Sequence, residues 1–204
     1  MKRKEVKILG LSYSQSQVGS YIVILSEVKG NKKLPIIIKP SDAQQIALKI
    51  EDVKSPRPLT HDLFKTMTDM YNIDVQEVYI HAILEGVFYT KLVTNNGLDE
   101  MNIECTAGDG IALALVYKCP IYVSKEVMDI SGVFINDDGT MAKDTDIDDV
   151  DYENIEEEES KPQRIVSIED LEQMMNDAIT NEEYEIAAGI RDRIQQLKDK
   201  EATK

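Results

Sequence analysis

Residues 136–163 are the strongest constraint on what this chain can build. Across 136–166, 12 Asp and Glu stand against 3 Lys and Arg. Among them are Asp144, Asp146, Asp148, Asp149, Asp151 and the run Glu156 to Glu159. So much charge with so little apolar surface cannot repay the entropy of ordering, so the stretch is expected to be a disordered acidic linker. The Asp144, Asp146, Asp148 spacing is that of a calcium loop, but Asp149 stands where such a loop needs glycine and Ile155 where it needs a bidentate glutamate. The chain therefore divides into a domain over 1–135, a linker over 136–165 and a short C-terminal piece over 166–200.

The net charge of −15 belongs mainly to the later segments. Residues 1–135 carry 15 basic against 16 acidic side chains, and residues 167–204 carry 5 against 10. A near-neutral first domain neither requires nor forbids a polyanionic ligand. With 42% apolar residues the chain as a whole can form a core. No charged-then-apolar start and no apolar run near the ~18 residues of a membrane helix is present, so a cytoplasmic protein without membrane contact is expected. Cys105 and Cys119 read as reduced core thiols.

Val6 to Leu11, Gly19 to Val28 and Leu34 to Ile38 read as strands joined by short loops, which favours antiparallel pairing. Pro40-Ser41-Asp42 opens a helix, with Ser41 and Gln44 spaced as a capping box and Ala43, Ile46, Ala47 and Ile50 on one face. Val75 to Val93 is strand-like with a turn at Glu85-Gly86, Asn95-Asn96-Gly97 marks a hairpin, and Met101 to Cys105 returns. Gly108-Asp109-Gly110 opens a helix, Ile111 to Lys118, that is apolar almost all round and hence buried. The fold class is α+β: a mostly antiparallel sheet with three packed helices. After the linker, a helical hairpin begins at Ser167 and Asp170, another capping-box pair. About 35 residues build little core alone, so the hairpin needs a partner, either its own copy or another protein.

Between the first two helices lies Pro56-Arg57-Pro58-Leu59-Thr60-His61-Asp62-Leu63. The prolines forbid helix on the approach, and Thr60 is placed as an N-cap ahead of Leu63, Phe64, Met67, Met70 and Tyr71. The result is a stiff elbow presenting Arg57, His61 and Asp62, and His61 is one of 2 histidines in the chain. Aligning Asp42 with Asp109 also superposes Ile46 on Leu113 and Ala47 on Ala114. Either any buried helix with an aspartate at its start looks so, or two related helix starts bring carboxylates to one cleft.

Residues 1 to about 135 resemble the bifunctional nuclease (BFN) domain family. The likeness rests on Leu34-Pro35-Ile36-Ile37-Ile38, Ala43 to Leu48, Pro56 to Leu63, Gly86-Val87-Phe88-Tyr89, Asp109 to Leu115 and Pro120-Ile121-Tyr122-Val123. The chain departs from the family pattern at Thr106-Ala107-Gly108, where relatives usually carry Arg-Pro-Ser or Arg-Thr-Ser. The C-terminal piece, with Leu171, Met175, Ala178 and Ala187-Ala188-Gly189-Ile190-Arg191-Asp192, resembles a UVR motif, the helical hairpin of bacterial excision-nuclease subunits. The first resemblance implies hydrolysis of DNA and RNA, and the second implies a protein-binding or self-associating module in a homo-oligomer.

Phosphodiester hydrolysis needs an activated water, commonly on a carboxylate-held metal, and positive groups facing the developing charge. The catalytic candidates are His61, Asp62 and Arg57, with His61 as base or metal ligand and Arg57 as phosphate clamp. Asp109, Asp42 and Glu104 are candidate ligands for a divalent ion, Mg or Mn. Against this, aspartates at helix starts are ordinary capping residues, worth about 0.5–2 kcal/mol. The chain carries no phosphate loop, zinc spacing, serine elbow or basic-aromatic stripe. The other reading is a scaffold that recruits a repair or proteolysis partner through the hairpin.

Overall fold

The computed structural model describes residues 2–14, 19–134 and 166–202, with side chains to residue 200. The expected linker, with its calcium-like spacing, lies outside the described residues. In chain order the elements are β1 (Arg3–Tyr13), β2 (Tyr21–Glu27), β3 (Lys32–Ile38), α1 (Pro40–Ile50), α2 (Thr60–Met70), β4 (Asp74–Leu84), β5 (Val87–Asn95) and β6 (Glu100–Cys105). They continue as α3 (Ala107–Tyr117), β7 (Ile121–Ser124), α4 (Lys125–Ser131), β8 (Val133–Phe134), α5 (Ile168–Thr180) and α6 (Tyr184–Ala202).

Among the described residues the strands form one eight-stranded sheet in the order β6-β5-β4-β7-β1-β2-β3-β8. Each run of three successive strands, β1 to β3 and β4 to β6, is an antiparallel meander, as the short connections dictate. Glu85 and Gly86, with φ of 51° and 76°, form the two-residue turn between Leu84 and Val87. β7 joins the meanders, antiparallel to β1 but parallel to β4. Nothing in local sequence announces that parallel seam, because it follows from the crossover that α3 makes.

α3 is the centre of the core. Ile111, Ala112, Leu113 and Ala114 are all buried, and the helix packs against β4 and β5 on one side and α1 and α2 on the other. This is why its sequence is apolar all round.

The helix starts differ from the sequence reading in their caps. α2 is capped at Leu59, not Thr60, because Asp62 Oδ2 reaches back to accept from the Leu59 N–H at 3.2 Å. α1 starts at Pro40 with Lys39 as N-cap and no side-chain cap, and Ser41 Oγ is turned to Asp42 Oδ1 at 3.1 Å. α3 begins one residue before Gly108: Thr106 is its cap, its Oγ1 accepting from the Asp109 N–H at 3.2 Å. Only Ser167 and Asp170 form the capping box that their spacing suggests.

The hairpin α5/α6 finds its partner within the same chain. Leu171, Met174, Ala178, Ile190, Ile194 and Leu197 are buried in the main hydrophobic cluster, and α5 lies on α1 and β1. Polar contacts set the register: the Tyr13 N–H donates to Asp170 Oδ1 at 2.8 Å, Gln44 Nε2 to Glu183 Oε2 at 3.0 Å and Arg193 Nε to Glu51 Oε2 at 2.8 Å. No helix of the described residues is long and apolar enough to cross a membrane.

Candidate functional site

The N-terminal turns of α1, α2 and α3 meet, and each delivers one ionisable side chain to the junction. His61, on α2, places Nε2 3.4 Å from Asp109 Oδ1 on α3. Asp109 is held for this by Thr106, whose hydroxyl donates to the other carboxylate oxygen, Oδ2, at 2.7 Å. Asp42, on α1, is the third member, close enough for the charges of both to act on it.

His61 is only 8% exposed, and among the described residues its Nδ1 has no hydrogen-bond partner. A buried imidazole nitrogen without a partner carries a desolvation penalty. Asp42 is 5% exposed. Burial pushes its carboxyl above the ordinary value and the neighbouring Asp109 charge pushes the same way, while Ser41, Lys39 and His61 partly offset them. Gly108 makes this position available: a Cβ there would overlap the Asp42 carboxylate. The departure at Thr106-Ala107-Gly108 thus has a local cause, with Thr106 capping α3 and Gly108 making room for Asp42.

The other candidates are placed differently. Asp62 points away from the cluster, pairing with Lys49 Nζ at 2.5 Å while it caps α2. Burial alone would raise its carboxyl, but Lys49 and the Leu59 N–H hold it below the ordinary value. Arg57 is exposed on the elbow and, among the described residues, forms no ion pair. Glu104 is paired in register with Lys91, whose neighbour Leu92 points into the core, so Glu104 faces the side of the sheet away from α3. There it lies 3.5 Å from His81 Nε2. The structure therefore brings Asp42, His61 and Asp109 together and leaves Asp62, Arg57 and Glu104 outside.

Among the described residues no group of three or more His, Cys, Asp or Glu side chains is arranged to hold a metal ion. What the junction offers is two mutually repelling carboxylates, the smaller set that Mg²⁺ accepts when substrate phosphates and water complete its shell. Lys49, which fixes Asp62, and Thr106, which fixes Asp109, were missed in the sequence. The Thr106-x-x-Asp109 spacing could have shown the second, whereas the first is a contact between two helices.

The bifunctional nuclease domain matches residues 23–136 and the UvrB/uvrC motif residues 166–200. An uncharacterized protein of Mycobacterium tuberculosis (strain ATCC 25618 / H37Rv) is 34% identical over 134 residues, 66% of this chain and 79% of that protein. A bifunctional nuclease of Oryza minuta is 23% identical over 176 residues, 85% of this chain and 53% of its own. Bifunctional nuclease 2 of Arabidopsis thaliana is 24% identical over 179 residues, 86% of this chain and 54% of its own. The chain thus spans about half the length of these plant relatives. Because the matched domain covers more than half of the 204 residues and contains Asp42, His61 and Asp109 alike, the chain belongs to the bifunctional nuclease domain family.

Proposed function

We propose that this protein hydrolyses phosphodiester bonds of DNA and RNA at the junction of Asp42, His61 and Asp109. The observation that carries the reading is the meeting of three helix starts around a buried histidine with its Nε2 3.4 Å from a carboxylate. Helix N-termini favour an anionic phosphate through their free N–H groups and dipoles. His61 takes the proton of the attacking water on Nδ1, the ring nitrogen without a partner, while Asp109 on the Nε2 side orients the ring and offsets its positive charge. Asp62 is a positioning residue, since by capping α2 and holding Lys49 it sets the helix that carries His61. Arg57, free on the elbow, is the cation available to clamp a neighbouring phosphate. Asp42 and Asp109 would hold a divalent ion, Mg or Mn, which when bound supplies an acidified water and charge neutralisation. Glu104 has no part in this arrangement.

The family match and the names of the plant relatives, bifunctional nucleases, support the same reading. The apolar face of the hairpin is docked on this chain, so the contact implied by its match to the UvrB/uvrC motif, with another protein or a second copy, falls to its outer surface, where Ile179 and Tyr184 are exposed. The test is cleavage of single-stranded DNA and RNA by the purified full chain with Mg²⁺ or Mn²⁺. A loss of about 10²-fold or more is expected for His61→Ala and for Asp109→Asn. Cleavage that survives both substitutions, or its absence in the wild type, overturns the assignment, and the latter favours the scaffold reading.

A further inference from the structure

The amphipathic pattern of α2 is inverted. The side chains it buries are polar: His61, whose ring meets Asp109, and Thr68, which hydrogen-bonds to the Tyr117 hydroxyl. Of its large apolar side chains only Phe64 turns toward α3, edge-on to the Tyr117 ring with centroids 6.4 Å apart. Leu63, Met67 and Met70 lie on the opposite side, and with Tyr71 at the C-cap they are 64%, 48%, 75% and 73% exposed. A surface helix ordinarily turns such a stripe to the core. Here the four side chains leave on the order of 500 Å² uncovered, near the top of the range for the largest apolar patch on a monomer.

We infer that this stripe is the self-association surface of the protein, on which α2 of a second copy packs about a two-fold axis at Met67. Charge selects the occupant first. Asp62 pairs with Lys49 and Lys65 with Asp69 at 3.0 Å, so the stripe offers no free charge for a polyanion or a charged peptide to read. For the same reason a second copy brings no unpaired like charges together there, although each chain carries −15. Spacing selects it next. Leu63, Met67 and Tyr71 form one i, i+4 ridge that is symmetric about Met67. Two such ridges crossing in the commonest helix-packing class set Met67 against its own copy and Leu63 against Tyr71 of the other chain, as an isologous contact requires. The pair buries about 1,000 Å² in all, enough for a weak, specific dimer. The helix that carries His61 is then held from both sides, by α3 within and by the second copy outside. This contact does not depend on the nuclease reading.

The test is sedimentation equilibrium of the full chain, where a monomer–dimer equilibrium with Kd on the order of 10 µM is expected. Met67→Glu and Met67→Lys each set two like charges at the axis and are expected to weaken the dimer about 100-fold. An equimolar mixture of the two variants is expected to restore it, which only a contact of Met67 with its own copy allows. Both replacements are good helix formers at an exposed position, and an unchanged circular dichroism spectrum verifies the fold. Met70→Glu, at the most exposed site of the stripe, is expected to weaken the dimer in the same direction. Ile179→Glu, on the outer surface of the hairpin, is expected to leave it intact. A wild type still monomeric at about 0.5 mM, a dimer that survives Met67→Glu and Met70→Glu, a dimer lost in Ile179→Glu, or a mixture that stays monomeric overturns the inference.

Discussion

The hydroxyl of Tyr21, on β2, donates a 2.8 Å hydrogen bond to Asp177 Oδ2 on α5, across 156 residues of sequence. Tyr21 is wholly buried, so this bond links the interior of the first domain to the C-terminal hairpin. Tyr21→Phe leaves the Asp177 carboxylate without that donor and is expected to destabilise the chain by about 1–3 kcal/mol in urea unfolding. Burial first, then the Asp177 bond, raises the Tyr21 hydroxyl above its ordinary value. The folded state therefore keeps a proton that the unfolded chain loses above pH ~10. This stabilisation is complete below that pH and declines as pH rises past it. An alkaline decline as steep in Tyr21→Phe as in the wild type would exclude Tyr21 as its source.

Arg193 and Glu51 fasten the other end of the hairpin, with Nη2 and Oε2 2.8 Å apart. The Glu51 side chain is only 7% exposed, so Arg193→Ala leaves a buried carboxylate largely unpaired. A loss of about 2–3 kcal/mol is expected, together with faster hydrogen exchange in α6. Unchanged exchange in α6 would show that the apolar face holds the hairpin without the ion pair.

Asp42→Asn should raise the melting temperature at neutral pH while abolishing cleavage. Burial and Asp109 raise the folded-state value of Asp42, so its ionisation opposes folding. The native state holds the extra proton, and stability attributable to Asp42 is present at low pH and lost as pH rises from ~3.9 through the folded value. The amide keeps the Ser41 hydrogen bond and carries no charge. The gain should shrink toward pH 3 in calorimetry, and a melting temperature below wild type at pH 7 would show that Asp42 is a stabilising residue instead.

Asp62 has the opposite sign. Lys49 and the Leu59 N–H hold its carboxyl below the ordinary value, so its contribution is present above pH ~3.9 and lost as pH falls through the folded value. Asp62→Ala removes the bond to the cap of α2 and is expected to destabilise by about 1 kcal/mol at pH 7. Its cleavage rate should fall less than that of His61→Ala. Equal losses would make Asp62 catalytic.

His61→Ala and Asp109→Asn together should slow cleavage more than either alone but by less than the product of the two losses, because Asp109 acts partly through the imidazole and partly as a holder of the divalent ion. Losses that multiply fully would mean that Asp109 does not act through the ring.

Much of the fold was readable from local pattern. Alternation and turn residues located the two meanders, and the apolar circumference of Ile111 to Leu115 announced a buried central helix. The helix caps were misread at Thr60 and Ser41 because a cap depends on which carboxylate or hydroxyl folds back, and spacing alone does not settle that. Candidate residue types were legible at the elbow, but their grouping was not. His61 and Asp62 are adjacent in sequence and, one helical step apart, point to different partners, Asp109 and Lys49.

The sequence by itself determined the α+β class, the helix starts that carry Asp42, His61 and Asp109, and the amphipathic hairpin, because each is encoded within one or two turns of chain. The parallel seam between β4 and β7, the junction of three helix N-termini, the contact of Asp42 with Gly108 and the docking of the hairpin on Tyr21 were decided by tertiary structure alone. Each depends on packing between segments tens of residues apart, where backbone direction and buried volume choose the neighbours.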